Sequence, residues 1–180
     1  MKILAFTGMP FSGKSVAVQI AKDMNFPVVR MGDAIWEEVK HRRLALTDRN
    51  VGTVANKMRE QQGKDIWAQR TLEKIKSMDK TKTLIIDGIR NIEEIDAFKK
   101  ELGEDFVVIA VGSSDETRYK RALQRGREDD SGDIELVKQR DQRELNWGLD
   151  VVIASADVVV SNEGNIDEFK DEIRKILAEL

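Results

Sequence analysis

The sequence has no cysteine, two prolines, one histidine and one tyrosine among its 180 residues. Without cysteine there is no disulfide framework, no thiolate metal site and no cysteine nucleophile. Two prolines beside 12 glycines leave no low-complexity linker, and no internal repeat is present. Long hydrophobic runs are missing too. Ile3-Leu4-Ala5-Phe6 is too short for a signal-peptide core, and nothing elsewhere approaches the roughly 18 apolar residues of a membrane span. The expectation is a cytoplasmic chain with no membrane partner. A surplus of positive charge is also absent: 30 Lys and Arg stand against 33 Asp and Glu, a net charge of -3, so no bulk field recruits nucleic acid. Nucleic-acid binding is therefore disfavoured.

What is present is a globular composition, 41% apolar and 35% charged, over a length that builds one domain, residues 1–180, around one core. Short apolar runs recur at Ile3 to Phe6, Val28-Val29, Leu84 to Ile86, Phe106 to Val111 and Val158 to Val160. Such uninterrupted runs suit strands buried on both faces of a parallel sheet. Between them, charged segments with helical periodicity predict helices over Lys14 to Met24, Asp33 to Leu46, Asn50 to Gln62, Asp65 to Met78, Ile92 to Leu102, Asp115 to Arg125, Ile134 to Leu145 and from Ile166 onward. The expected fold class is α/β, a three-layer sandwich of helices around a five-stranded parallel sheet. Consecutive helices between the second and third strands predict a small flap near residues 33–80. The oligomeric expectation is a monomer or small homo-oligomer.

The strongest motif is Gly8-Met9-Pro10-Phe11-Ser12-Gly13-Lys14-Ser15, which follows a strand and opens an apolar-periodic helix. The two glycines let the backbone wrap so that amide hydrogens point at phosphate oxygens, and the helix start adds its positive dipole end. Lys14 reaches the outer phosphates as a point charge, and the Ser15 hydroxyl ligates the magnesium that a nucleotide carries. ATP and Mg2+ are the expected cofactors.

Other candidates sit at strand ends. Thr83 to Asp87 is an apolar strand closed by a carboxylate, which makes Asp87 the expected second metal contact. Gly88 follows where hydrolytic machines often carry Glu, favouring transfer to an acceptor over hydrolysis. Arg90, three residues past the carboxylate, offers a planar fork for an acceptor phosphate, against a plain surface pair with Glu93 or Glu94. Arg118, Arg121 and Arg125 share a helix face, and like charges four apart repel unless an anion lies between them. Triphosphate would be that anion. A lid near residues 125–140, hinged at Gly126 and Gly132, would bring Arg125, Arg127 and Arg140 over it. Asp33, after the second strand, is either a helix N-cap or the group that orients an acceptor hydroxyl. His41, Trp36, Trp67 and Trp147 read as packing or surface residues. The guanine-reading Asn-Lys-x-Asp pattern is absent, since Arg59 follows Asn56-Lys57-Met58.

These elements resemble nucleoside-monophosphate kinases of the P-loop class. The phosphate loop, Met31-Gly32-Asp33, Asp87-Gly88-Ile89-Arg90 and Arg125 to Asp130 follow the order of phosphate loop, acceptor turn, Asp-Gly-x-Pro-Arg element and lid in adenylate kinases. Here Arg90 stands one residue sooner and the proline is absent. Ala156 to Asn165 instead resembles the last strand and loop of dephospho-coenzyme A kinases, which implies that Asn162 lies near an adenine and that Asp33 is the base. End to end, the chain is most similar to the archaeal adenylate-kinase-related P-loop proteins. The resemblance implies a kinase that moves the γ-phosphoryl of Mg·ATP to a nucleotide-like acceptor, a nucleoside monophosphate or dephospho-coenzyme A. The alternative is a nucleotide-dependent switch with little turnover.

Overall fold

The computed structural model describes residues 1–79, 81–125 and 133–179, with the side chain of Arg125 outside the description. Strands β1 (Lys2–Thr7), β2 (Val28–Arg30), β3 (Thr83–Asp87), β4 (Phe106–Gly112) and β5 (Val158–Ser161) form one sheet in the order β2-β3-β1-β4-β5. Every pairing is parallel, and Phe6 stands opposite Asp87 while Thr7 stands opposite Ala110. The carboxyl ends of β1 and β3 therefore finish within one residue of each other, with β4 running on two residues at the same end of the sheet. In open parallel sheets that is where ligands bind.

Helices α1 (Lys14–Asp23), α2 (Met31–His41), α3 (Asp48–Gln62), α4 (Ile66–Lys76), α5 (Ile92–Leu102), α6 (Asp115–Arg125), α7 (Ile134–Asn146), α8 (Leu149–Ala154) and α9 (Ile166–Glu179) complete the described elements, with a 3-10 turn at Gly103–Asp105. The strands alternate between two cores. Ile3, Ala5, Leu84 and Ile86 face Met31, Val54, Met58, Trp67, Leu72, Ile95 and Phe98 of α2 to α5. Leu4, Phe6, Ile85 and Ile109 face Ala17, Val18 and Ile20 of α1 and Phe169, Ile173 and Leu177 of α9. Burying both faces explains the unbroken apolar runs of the strands. The segment read as a flap shares the first core with the sheet, because α2, α3 and α4 each bury an apolar stripe there.

Helix α2 differs from its expected bounds. It starts at Met31, which is buried in the core directly after β2, and ends at His41, beyond which Arg43 takes a left-handed φ of 57°. Helix α8 was not expected from the sequence. Gly148, with φ 94°, turns the chain out of α7, and Leu149 and Val152 then bury one side of a short β-branched segment with little helical signal of its own.

Polar side chains cap the starts of α3 and α5: the Thr47 hydroxyl accepts the Asn50 amide, and Asn91 Oδ1 accepts the Glu94 amide at 2.8 Å. Glu94 is fully buried, holds Arg59 of α3 at 2.9 Å and accepts the Arg90 amide at 2.8 Å. This ion pair ties α3 to α5 beside the sheet's functional edge. Removing one member of a buried pair leaves an uncompensated charge. Glu94→Ala is therefore expected to lower the unfolding free energy by about 3 to 5 kcal/mol in urea titration.

Candidate active site

The loop from Gly8 to Ser15 joins β1 to α1. Gly8 has φ 147°, and a Cβ there would lie 2.5 Å from the Val111 carbonyl oxygen. Gly13 has φ 107°, and a Cβ would lie 2.0 Å from Asn162 Nδ2. Both positions therefore require glycine. Phe11 also takes a left-handed φ of 65°. Met9 and Pro10 lie in the turn that the Ser12 amide closes on the Met9 carbonyl at 3.1 Å. The Val16 and Ala17 amides bond to the Gly13 carbonyl, while those of Lys14 and Ser15 open the helix and have no intrahelical acceptor. That is the arrangement of an anion cradle.

The carbonyls of this loop are held from behind. Arg118, 1% exposed, donates to the Pro10 carbonyl at 2.9 Å and forks onto Asp141 of α7 at 3.1 and 2.7 Å. Asn162 Nδ2 donates to the Ser12 carbonyl at 2.8 Å. Arg121 reaches the Ser12 carbonyl at 3.3 Å, Ser113 Oγ at 2.9 Å and the Asn162 carbonyl at 2.7 Å. Two expectations are corrected here. Arg118 binds the Pro10 carbonyl and Asp141, and Arg121 binds the Ser12 and Asn162 carbonyls, where a triphosphate was expected as their partner. Asn162 is buried beneath the loop at 2% exposure and supports it, a place the adenine reading did not foresee. Arg125 closes α6 with its side chain outside the description, and Arg127 lies outside the described residues.

Lys14 pairs with Asp87 across the carboxyl ends of β1 and β3, and Arg30 Nε stands 3.8 Å from both Asp87 and Asp33. Burial pushes the Lys14 ammonium below its ordinary value, against the pull of the Asp87 carboxylate and with the help of Arg90. For Asp87, burial alone would push the carboxyl up. The charge and hydrogen bond of Lys14, with Arg90 and Arg30 behind them, outweigh it and hold the group below the usual carboxylate range. Asp87 thus stays ionised, and with the exposed Ser15 hydroxyl it offers the hard oxygen donors that Mg2+ prefers. Asp33 sits in the first turn of α2, whose N-cap is Arg30, so the capping role is not the one it plays.

The turn after β3 is pinned to β1 through Thr7 Oγ1 on the Ile89 carbonyl at 3.0 Å and the Gly88 amide on the Phe6 carbonyl at 3.0 Å. This brings Arg90 inward. Its Nε lies 3.1 Å from Glu144 of α7, so it is not a surface pair with Glu93 or Glu94. Arg140 Nε donates to the same Glu144 at 3.3 Å and stands 3.8 Å from Asp48. Arg143 forks onto Asp48 at 2.9 Å on both nitrogens, lying flat over Gly52, where any Cβ would meet the guanidinium at 3.0 Å. Phe11 of the loop, Asp48, Thr53, Asn56, Gln139 and Arg140 border a cleft of about 520 Å³ between α3 and α7.

Glu144 and Asp141 were not among the candidates read from the sequence. Their signal was available on α7, where Val137, Asp141 and Glu144 are buried at i, i+4 and i+7, so two carboxylates occupy core positions of one helix face. Trp147 likewise has partners that sequence spacing hides. Arg59 stacks on its ring at 4.4 Å, Arg143 lies at 5.7 Å, and its indole N–H donates to Asn56.

A family model described as an AAA domain matches residues 7–138. A UPF0200/UPF0201 protein of Archaeoglobus fulgidus is 44% identical over the whole chain, which spans 56% of that protein's length. UPF0200 proteins of Methanosarcina barkeri and Methanoculleus marisnigri are 39% and 44% identical, and the chain covers 95% and 97% of their lengths. Among solved structures, the fold is similar to TT1252 from Thermus thermophilus, with a TM-score of 0.63 at 21% identity over 99% of this chain and 97% of that one. A gluconokinase from Sinorhizobium meliloti superposes with a TM-score of 0.61 at 16% identity, over 99% and 92% of the two chains. A shikimate kinase from Aquifex aeolicus gives 0.53 at 16%, over 98% and 96%.

The depressed Asp87 carboxyl carries a pH signature. Its share of stability is present above the ordinary carboxylate value of about 3.9 and is lost as pH falls through the lower folded value. The difference in unfolding free energy between wild type and Asp87→Asn should accordingly be full near neutral pH and shrink below about pH 4 in urea titrations.

Proposed function

The chain belongs to the archaeal UPF0200 family and to the AAA-domain group of P-loop proteins, and from its fold and site we propose that it is a phosphotransferase moving the γ-phosphoryl of Mg·ATP to a small-molecule acceptor. The observation that carries this reading is the meeting of two cationic positions: Lys14 of the phosphate loop pairs with Asp87 at the end of β3, and Arg90 turns inward from the turn that follows, which Thr7 pins to β1 through the Ile89 carbonyl. One position suits a donor polyphosphate and the other an anionic acceptor. Two fold neighbours, a gluconokinase and a shikimate kinase, are in keeping with a kinase. So is Gly88 after Asp87, where no side chain is present to activate water.

In this reading the amides from Gly8 to Ser15 and the Lys14 ammonium bind and orient the donor phosphates. Ser15 and Asp87 would hold Mg2+, which when bound neutralises phosphate charge. Arg90 and Arg140 steady the acceptor and the charge that develops on transfer, with Arg125 and Arg127 assigned to the lid. Asp33, 36% exposed and 3.8 Å from Arg30, faces the same end of the sheet and would orient or deprotonate the acceptor hydroxyl. Catalysis is positioning and charge neutralisation, without a covalent enzyme intermediate. A nucleotide-like acceptor, a nucleoside monophosphate or dephospho-coenzyme A, is proposed first on the order of the sequence elements.

The test is ADP formation from Mg·ATP across nucleoside monophosphates, dephospho-coenzyme A, gluconate and shikimate. At least one acceptor should raise turnover, Lys14→Ala should lower it by about a hundredfold or more, and Arg90→Ala should act mainly through the acceptor's KM. Tight ATP binding with no accelerating acceptor would favour the nucleotide-dependent switch instead.

A further inference from the structure

Beside the cleft, two buried polar atoms lack a hydrogen-bond partner: Arg90 Nη1, a donor, and Glu144 Oε2, an acceptor. The Glu144 side chain is only 3% exposed. Its Oε1 accepts from Arg140, whereas its Oε2 lies 3.1 Å from Arg90 Nε without hydrogen-bond alignment. Buried polar groups are normally paired, and a carboxylate or guanidinium left unpaired is retained at a cost. The two side chains meet at Arg90 Nε and Glu144 Oε2, 3.1 Å apart, and each keeps one unmet polar atom. A guest that satisfies both presents a negative oxygen to Arg90 and an O–H to Glu144, because an ionised carboxylate only accepts.

We propose that Arg90 and Glu144 form a binding subsite for an oxyanion that carries its own O–H, a protonated phosphate or a hydroxy-carboxylate, and that Glu144 is the specificity-determining residue. An oxyanion without a proton to donate would set two negative oxygens against each other. Arg140 lines the cleft and also holds Glu144, so the guest enters past Arg140; the Arg140 and Arg90 side chains are 27% and 18% exposed. Asp87, three residues before Arg90, pairs with Lys14, which puts the subsite next to the phosphate loop. This deepens the acceptor reading above and rests on it for the part the guest plays in the reaction.

Orthophosphate retains an O–H near neutral pH and sulfate does not, so the pair isolates the interaction. Calorimetric titrations with each, at constant ionic strength, use protein saturated with a non-hydrolysable Mg·ATP analogue so that the phosphate loop is filled. Glycolate against acetate repeats the comparison for carboxylates. Phosphate should bind at least about tenfold tighter than sulfate if the guest is a phosphate, and glycolate tighter than acetate by a similar factor if it is a hydroxy acid. Glu144→Gln, whose amide can donate, should bring the ratio close to one, and Arg90→Ala should weaken the preferred anion. Equal binding within both pairs, no binding of any of the four, or a ratio that survives in Glu144→Gln would overturn the proposal. The wild-type ratios do not depend on a variant folding. The same titrations on Lys14→Ala without nucleotide separate the two ideas: if the analogue fails to bind the wild type but the anion preference persists in Lys14→Ala, the kinase reading fails and the subsite stands.

Discussion

A loop that turns its amide hydrogens toward an anion turns carbonyl oxygens away from it, and those carbonyls must be satisfied by something else. That constraint organises this protein. The Pro10 and Ser12 carbonyls take their hydrogen bonds from Arg118, Arg121, Asn162 and Ser113, which come from α6 and from the ends of β4 and β5. The cradle is thus shaped before a ligand arrives, and binding need not order it. A buried guanidinium such as Arg118 would be a liability alone. Here its charge is matched by the bidentate Asp141 and by Asp115, and Nη1 also donates to the Pro10 carbonyl of the loop.

Helix α7 links this support to the acceptor side. One face presents Asp141 to Arg118 and, a turn later, Glu144 to Arg90 and Arg140, while Arg143 clamps Asp48 of α3. A shift of α7 would move the loop's support, the turn after β3 and the wall of the cleft together. Trp147, stacked under Arg59 and joined to Asn56, fastens the end of the same helix to α3. The packing of charged groups therefore connects the nucleotide loop with the cleft through rigid elements.

Much of this was legible before any coordinates. Buried parallel strands announce themselves as unbroken apolar runs, so β1, β3, β4 and β5 were found within a residue or so, and Gly8 to Ser15 follows from backbone chemistry alone. Arg90 was read as the holder of an acceptor phosphate, while its contact with Glu144 was not foreseen. The roles of Arg118, Arg121 and Asn162 were not legible, because a guanidinium that binds phosphate and one that binds the carbonyl behind a phosphate look alike in sequence. Glu144 pairs with Arg140 one helical turn before it, an ordinary spacing, and only the three-dimensional packing shows that it is buried against Arg90. Helix α8 was hidden because Val151, Val152 and Ile153 carry β-branched side chains and take their helical state from the burial of Leu149 and Val152.

The claim that the cradle is held open from behind is tested most directly where support and ligand contact cannot be confused. Arg118 is buried on the far side of the loop, and replacing Arg118 and Asp141 together by Met and Leu removes the donor to Pro10 without stranding a charge. Calorimetric titration of that folded double variant with Mg·ATP should give an affinity weaker by about tenfold or more, the worth of roughly one charge-assisted hydrogen bond. An affinity within about twofold of wild type would show that the loop holds its own shape and that the arginines behind it serve only to join the helices.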